Sequence, residues 1–259
     1  DFESFRKLGD FGILGLHFPE EYGGSNADVV TTVMAGEALG EAGVDGGLTL
    51  AYGAHSFLCA DTIYRHATEE QRKKYLPKLI SGEWIGCMGL TEPDAGSDVA
   101  SMKTTAEKKG DKYVLNRSKS VITIGPIADV AVVYAKTDPD QKHAGISAFI
   151  VEKETKGFSA GAPLIKMGVR TSQTSELFFS NCEIPAENLL GKEGEGFNMS
   201  LQTVEWDRSA LLAPFVGAAK YMLNECADYA KKREQFGRAI GKFQAIKHKL
   251  ANIRIFAEA

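Results

Sequence analysis

Cysteine is scarce and scattered. The four in the chain, Cys59, Cys87, Cys182 and Cys226, form no Cys-x-x-Cys pair and have no histidine at zinc-ligand spacing. This excludes a disulfide framework and a structural zinc module, and no metal site is expected. The cysteines read as reduced, mostly buried thiols of a reducing compartment. No apolar run approaches the length of a membrane span, so no membrane insertion is expected. Basic clusters go no further than Lys108-Lys109 and Lys231-Lys232-Arg233, and the formal net charge is -4 with a pI near 5.8, which argues against a nucleic-acid partner. The five histidines, His17, His55, His66, His143 and His248, stand near no serine or cysteine nucleophile motif. Neither an internal repeat nor a low-complexity tract is present. The N-terminus lacks the basic-then-apolar build of a signal peptide. Cytoplasm is the default expectation, and because the chain opens at Asp1 rather than Met, a mitochondrial matrix location through an upstream targeting segment is the alternative.

What is there is an ordinary soluble composition with room for more than one modest domain: 259 residues, 44% hydrophobic and 25% charged. Periodicity divides it in three. Residues 1–83 carry apolar side chains at helical spacing, as in Val29, Val33 and Met34, then Ala60, Ile63 and Tyr64, interrupted by loops at 18–24 and 40–47. Residues 84–190 change to short β-rich runs such as Val130 to Ala135 and Ile146 to Val151, parted by Gly, Asp, Asn and Pro; without helices between them they suggest an antiparallel barrel or sandwich. A linker with three glycines at 188–196 leads into residues 191–259, which return to helix, first through Ala210-Leu211-Leu212 to Tyr229-Ala230, then again after Gly241-Lys242. The stripe Ile246, Leu250, Ile253 and Phe256 meets no stop signal by Ala259. The expected class is α+β: an N-terminal α-helical domain, a middle antiparallel β-barrel or sandwich, and the start of a helical bundle.

The segment richest in chemical signals is Gly89-Leu90-Thr91-Glu92-Pro93-Asp94-Ala95-Gly96-Ser97-Asp98. Pro93-Asp94 sets a turn, Gly96 permits close backbone approach, Thr91 and Ser97 offer hydroxyls, and Ser97 or Asp98 can cap a following helix. By residue type alone, this is either an ordinary capped turn or the wall of an anion site.

Extended through Ser101, the segment resembles the signature of the acyl-CoA dehydrogenase family, in which a small residue and an aliphatic precede Thr-Glu and Gly-Ser-Asp follows three residues later. Three further matches stand in the family's order: Lys166 to Ser172 with Leu177-Phe178-Phe179, then Ile184 to Gly191, then Arg233-Glu234-Gln235-Phe236-Gly237 with Phe243-Gln244. The resemblance covers essentially the whole chain, and relative to the family pattern the C-terminal helices and part of the first helix are expected to be missing.

The resemblance implies FAD as cofactor, with Met88, Leu90, Thr91, Gly96, Ser97, Val121 and Thr123 along the flavin. It puts the Thr123 hydroxyl at the hydride-accepting nitrogen, and has Arg233, Gln235, Phe236, Phe243 and Gln244 reach the FAD of a neighbouring subunit. A homo-oligomer, dimer or tetramer, follows. The implied reaction is α,β-dehydrogenation of an acyl-CoA thioester, with electrons passed to an electron-transfer flavoprotein. Alternatives are an enoyl-CoA reductase, a flavin oxidase, or an inactive homologue serving as a binding or assembly subunit. Ser97, Glu205 and Arg208 match positions near substrate, and His55 is a loose candidate for the acyl pocket.

In most of the family the base is a glutamate in the C-terminal portion. A smaller branch, which includes enzymes for branched acyl groups, carries it just before an arginine on a bundle helix, here Asp207 before Arg208. Aspartate is one methylene shorter, so either substrate sits closer or Asp207 is not the base; an aspartate here also points toward branched or cyclic acyl groups. The chain departs from the family in Asn116-Arg117-Ser118-Lys119-Ser120-Val121-Ile122-Thr123-Ile124-Gly125, where a glycine, an aromatic and an asparagine are replaced by Arg117, Val121 and Ile124. Val121 implies a smaller contact with the flavin.

Overall fold

The computed structural model describes residues 2–43 and 45–258. The expected loop at 40–47 includes Val44, and the expected last helix reaches Ala259; both residues lie outside the described ones. Five helices come first: α1 (Phe2–Asp10), α2 (Val29–Glu41), α3 (Gly46–Gly53), α4 (Asp61–His66) and α5 (Glu69–Ile80). Their starts follow local chemistry. The Asp28 side chain accepts from the Thr31 amide at 2.7 Å, and Thr68 with Gln71 forms a reciprocal capping box.

Eight strands then build one sheet: β1 (Gly86–Gly89), β2 (Thr105–Lys109), β3 (Lys112–Thr123), β4 (Val130–Lys136), β5 (Ile146–Glu152), β6 (Phe158–Ala160), β7 (Thr174–Pro185) and β8 (Leu189–Leu190). The order is β6-β7-β3-β2-β4-β5-β8, and β1 lies on β4. Most pairs are antiparallel, as expected. The exceptions are β1, which runs parallel to β4 from Gly86↔Val130 to Gly89↔Val133, and the single parallel match of β2 to β4. β1 is parallel because the chain leaves its end through the Leu90–Thr104 loop and the β2–β3 hairpin before β4 begins. The linker expected at 188–196 also starts as a strand, because Leu189 and Leu190 pair with β5.

The continuous apolar runs of β4 and β5 are buried on both faces, as their lack of alternation requires. Ala131 and Val133 pack with Tyr52, Phe57 and Phe149 on one side, whereas Val130, Val132 and Tyr134 pack with Cys59, Leu76, Leu79 and Met199 on the other. Helices therefore cover both sides of the sheet's centre.

After the sheet come α6 (Gly196–Ala210), α7 (Ala213–Lys232), a small hairpin of β9 (Glu234–Gln235) and β10 (Arg238–Ala239), and α8 (Gln244–Glu258). The sequence pattern had joined α6 and α7 into one helix. They are separate because Pro214 lacks the amide that would continue the ladder, and the chain bends at Leu211-Leu212. The bend lets α7 lie against α2. There a Cβ on Gly40 would fall 1.8 Å from the Pro214 carbonyl oxygen, and one on Gly217 would fall 1.9 Å from that of Glu37. Only glycine permits so close a crossing.

Candidate active site: one loop, one bulged strand, one helix

The base of the Leu90–Thr104 loop is held by a buried ion pair. Lys119 of β3 has a fully buried side chain and places its Nζ 2.7 Å from Glu92 Oε1, itself 5% exposed, and 3.1 Å from the Leu90 carbonyl oxygen. The Glu92 carboxylate also accepts the amides of Lys103 at 2.6 Å and Thr104 at 2.9 Å. One side chain thus joins both ends of the loop to β3. Burial pushes the Lys119 ammonium down to about 8 against the pull of Glu92; burial alone would raise Glu92, but Lys119 and the two donors Lys103 and Thr104 hold it below its ordinary range. The Ser120 amide adds a bond to the Thr91 carbonyl at 2.8 Å. Within the loop, Glu92 and Ala95 bridge across Pro93-Asp94, forming the expected turn.

One expectation fails here. Asp98 precedes only a three-residue helical turn, Val99–Ser101, and its side chain caps nothing. The loop therefore lacks the aligned amides and dipole with which a long helix start would meet an anion.

The strand behind the loop is bent at the three positions where its sequence departs from the family pattern. Arg117, Val121 and Ile124 take φ values of +100°, +59° and +56°, a region that L residues avoid and that β-branched side chains almost never enter. Val121 sits in a bulge: between Lys119↔Leu177 and Ile122↔Ser175, two residues of β3, Ser120 and Val121, stand against one of β7, Glu176. The bulge separates directions. Lys119 and Ile122 are buried, while Val121, 62% exposed, and Thr123, partly exposed, remain open to solvent.

Helix α6 forms the opposite wall of the site. Its buried face carries Ser200, Thr203 and Ala210, and the Thr203 hydroxyl lies 2.8 Å from that of Thr62, tying α6 to α4. A cleft of about 700 Å³ lies between helix and loop, lined by Leu90, Gly96, Ser97 and Val99 on one side and Leu201, Val204, Glu205 and Arg208 on the other. The three expected substrate contacts, Ser97, Glu205 and Arg208, thus meet in one cleft. Asp207 is not on its lining. It falls on the face of Ser200, Thr203 and Ala210, half-buried, with Oδ1 shielded from water and lacking a hydrogen-bond partner; burial pushes its carboxyl up to about 6 despite neighbouring Arg208. Trp206 beside it packs edge-on to Phe57 and His17.

Arg233, Gln235, Phe236, Phe243 and Gln244 are placed elsewhere. They lie on the β9–β10 hairpin and the turn into α8, packed on α7 and α8, with Phe236 92% exposed at the tip and the Arg238 guanidinium over the Phe243 ring at 4.2 Å. His55 is also away from the cleft. It sits fully buried in a π-helical stretch, Ala54–Ala60, between α3 and α4, where Nδ1 lies 3.0 Å from the Gly86 amide and Nε2 2.9 Å from the Leu79 carbonyl. An amide can only donate, so Nδ1 accepts and Nε2 carries the hydrogen. Burial holds this ring neutral, near 4, and its role is to fasten α5 to the start of β1.

The donor set fits FAD. A Cβ on Gly96 would meet nothing within 4 Å, leaving open space beside Ser97 on the cleft wall, and the exposed Val121 side chain offers an apolar surface for a planar ring. Partly buried Met88 and Leu90 lead from β1 into this loop. No cluster of metal-ligating side chains occurs among the described residues. No helix there is long and apolar enough to cross a membrane.

Three family models match in order: acyl-CoA dehydrogenase N-terminal domain at residues 1–83, middle domain at 87–182, and C-terminal domain at 194–259. The chain is 43% identical over 257 residues to a short-chain-specific acyl-CoA dehydrogenase of Clostridium acetobutylicum, covering 99% of this chain and 67% of that protein. It is 45% identical over 253 residues to mitochondrial isovaleryl-CoA dehydrogenase of Oryza sativa subsp. japonica, covering 98% and 61%. The solved structure of the prolyl acyl carrier protein oxidase AnaB superposes with a TM-score of 0.97 at 41% identity, covering 100% of this chain and 68% of that one. The chain thus spans roughly three fifths to two thirds of the length of these relatives.

Proposed function

The chain belongs to the acyl-CoA dehydrogenase family of FAD-dependent oxidoreductases, and we propose that the cleft between the Leu90–Thr104 loop and α6 receives a branched or cyclic acyl-CoA, with Asp207 as the base. The observation that carries this reading is the meeting of Gly96 and Ser97 with Glu205 and Arg208 across one cleft, on the helix that also holds Asp207. Asp207 takes the proton next to the thioester carbonyl of a substrate whose acyl end passes from the cleft to the buried side of α6, a task suited to a carboxylate held near 6 with Oδ1 free of hydrogen-bond partners. Bound FAD supplies the acceptor for the hydride that leaves the β-carbon. Arg208 and Glu205 hold the polar part of the substrate, Thr91, Ser97 and Thr123 orient the cofactor, and Val121 leaves room beside the flavin ring.

In this reading the β9–β10 hairpin completes the cofactor site of a second copy, making the active form at least a dimer. Electrons then pass to an electron-transfer flavoprotein. Likeness to an oxidase favours a second reading, in which dioxygen takes them instead.

The test is a visible spectrum of the full-length protein titrated with straight, branched and cyclic acyl-CoA thioesters. Bleaching of a flavin band, strongest with branched or cyclic thioesters, is expected. Reoxidation in air within the turnover time selects the oxidase reading. A protein carrying no flavin, or a flavin that no thioester bleaches, overturns both.

A further inference from the structure

Lys119 is the largest buried group of the site that proton or hydride transfer does not use. Its stem crosses the last residue of β1, just before the loop, where a Cβ on Gly89 would come within 3.3 Å of Lys119 Cγ. Its ammonium meets the Leu90 carbonyl, the Glu92 carboxylate and, at 3.8 Å, the Met102 sulfur. These partners stand at the entrance and exit of the loop, and Glu92 binds the exit again through the Lys103 and Thr104 amides.

Two charges taken wholly out of water are a poor way to gain stability. An apolar pair of similar volume would do as well or better, whereas removing one partner alone strands a buried charge. What an apolar pair cannot reproduce is directed bonding from one atom to both ends of a loop. The loop so closed carries Gly96 and Ser97 at its tip, on the wall of the cleft.

We infer that Lys119 is a positioning residue: with Glu92 it clamps the base of the 90–104 loop onto the bulged strand β3, so that the cofactor-facing tip keeps a single geometry. The bulge at Ser120-Val121 belongs to the same device. It keeps Lys119 inward beneath the loop while Val121 stays on the open face. This rests on the reading of the loop as the flavin wall.

The experiment replaces the pair by apolar side chains of similar length, Lys119→Met with Glu92→Met, in the full-length holoenzyme. Three quantities are read: the melting temperature, the FAD dissociation constant on reconstitution, and amide hydrogen exchange across residues 90–104. The expected result is a protein that still melts cooperatively near the wild-type temperature but binds FAD about tenfold more weakly, as loss of a charge-assisted bond implies, with faster exchange confined to the loop. Lys119→Arg, which keeps the charge, recovers part of both. Wild-type FAD affinity together with wild-type exchange in the double variant overturns the inference. Should the double variant not fold, Glu92→Gln carries the same readouts in weaker form, and its identity to wild type in both is equally fatal. A wild-type protein without flavin sinks the flavin reading alone, since loss of exchange protection in the loop still decides whether the clamp exists.

Discussion

The Leu90–Thr104 loop and the β9–β10 hairpin both carry residues that resemble cofactor contacts, and they are built in opposite ways. The loop is clamped by a buried ion pair, bonded to β3 through the Ser120 amide, and faced by α6 across a cleft. The hairpin is a two-by-two ladder with Phe236 standing in solvent. It packs on α7 through β10. The difference is one of support: the loop is held by bonds to its own sheet, and among the described residues the hairpin tip is held by none.

The first way to break that comparison is to cut the clamp on one side only. Lys119→Met leaves Glu92 charged and stranded, and the expected cost is about 3–5 kcal/mol of stability. Chemical denaturation measures it; a loss of less than about 1 kcal/mol, the range of exposed pairs, would mean that the loop is not clamped.

The next tests Asp207. Its folded-state pKa of about 6 lies above the ordinary 3.8. The folded protein therefore keeps this proton where the unfolded chain has lost it, and stability falls as pH rises from about 4 to about 6. Discounted for its partial exposure, Asp207→Asn should raise stability at pH 7 by about 1–2 kcal/mol, with no gain below about pH 4. Thermal melts across that range provide the check, and a pH-independent effect would show that the carboxyl is not desolvated.

A smaller effect concerns the strained strand. Arg117 is exposed at φ +100°, so Arg117→Gly should stabilise by about 1 kcal/mol by removing the left-handed penalty. A loss of stability there would mean that the arginine side chain contributes more than the strain costs.

The smallest effect is expected at the hairpin. Phe236→Ala should change stability by no more than about 0.5 kcal/mol, while lowering FAD retention in the assembled protein. Unchanged FAD retention would leave the hairpin without a cofactor role.

Much of this was legible in the sequence because it is local. Runs such as Val130 to Ala135 declare buried strands, and Pro93-Asp94 declares its turn. The loop's substrate-side partners were named from their places in a matching pattern, and the cleft brings Ser97, Glu205 and Arg208 together. The apolar period runs unbroken through Leu211-Leu212, where the structure bends just ahead of Pro214. What stayed hidden depends on contacts far apart in sequence. Nothing in Lys119 announces a fully buried ammonium, for lysine is among the residues least often buried, and its partner stands 27 positions away. The π-helical stretch that turns His55 inward toward Leu79 and Gly86 has no periodic signature of its own. Nor does the sequence reveal that the three departures at Arg117, Val121 and Ile124 coincide with three left-handed residues, since that requires the backbone.

As the proposed base, Asp207 should remove the α-proton from its place on the helix that faces the Leu90–Thr104 loop. Stopped-flow reduction of the bound flavin by a branched acyl-CoA, wild type against Asp207→Asn at equal FAD occupancy, tests it most directly. A fall of about 10³-fold in the reduction rate is expected, with the wild-type rate climbing through pH 6, where Asp207 ionises. An unchanged rate in the variant, with the same pH profile, would contradict it.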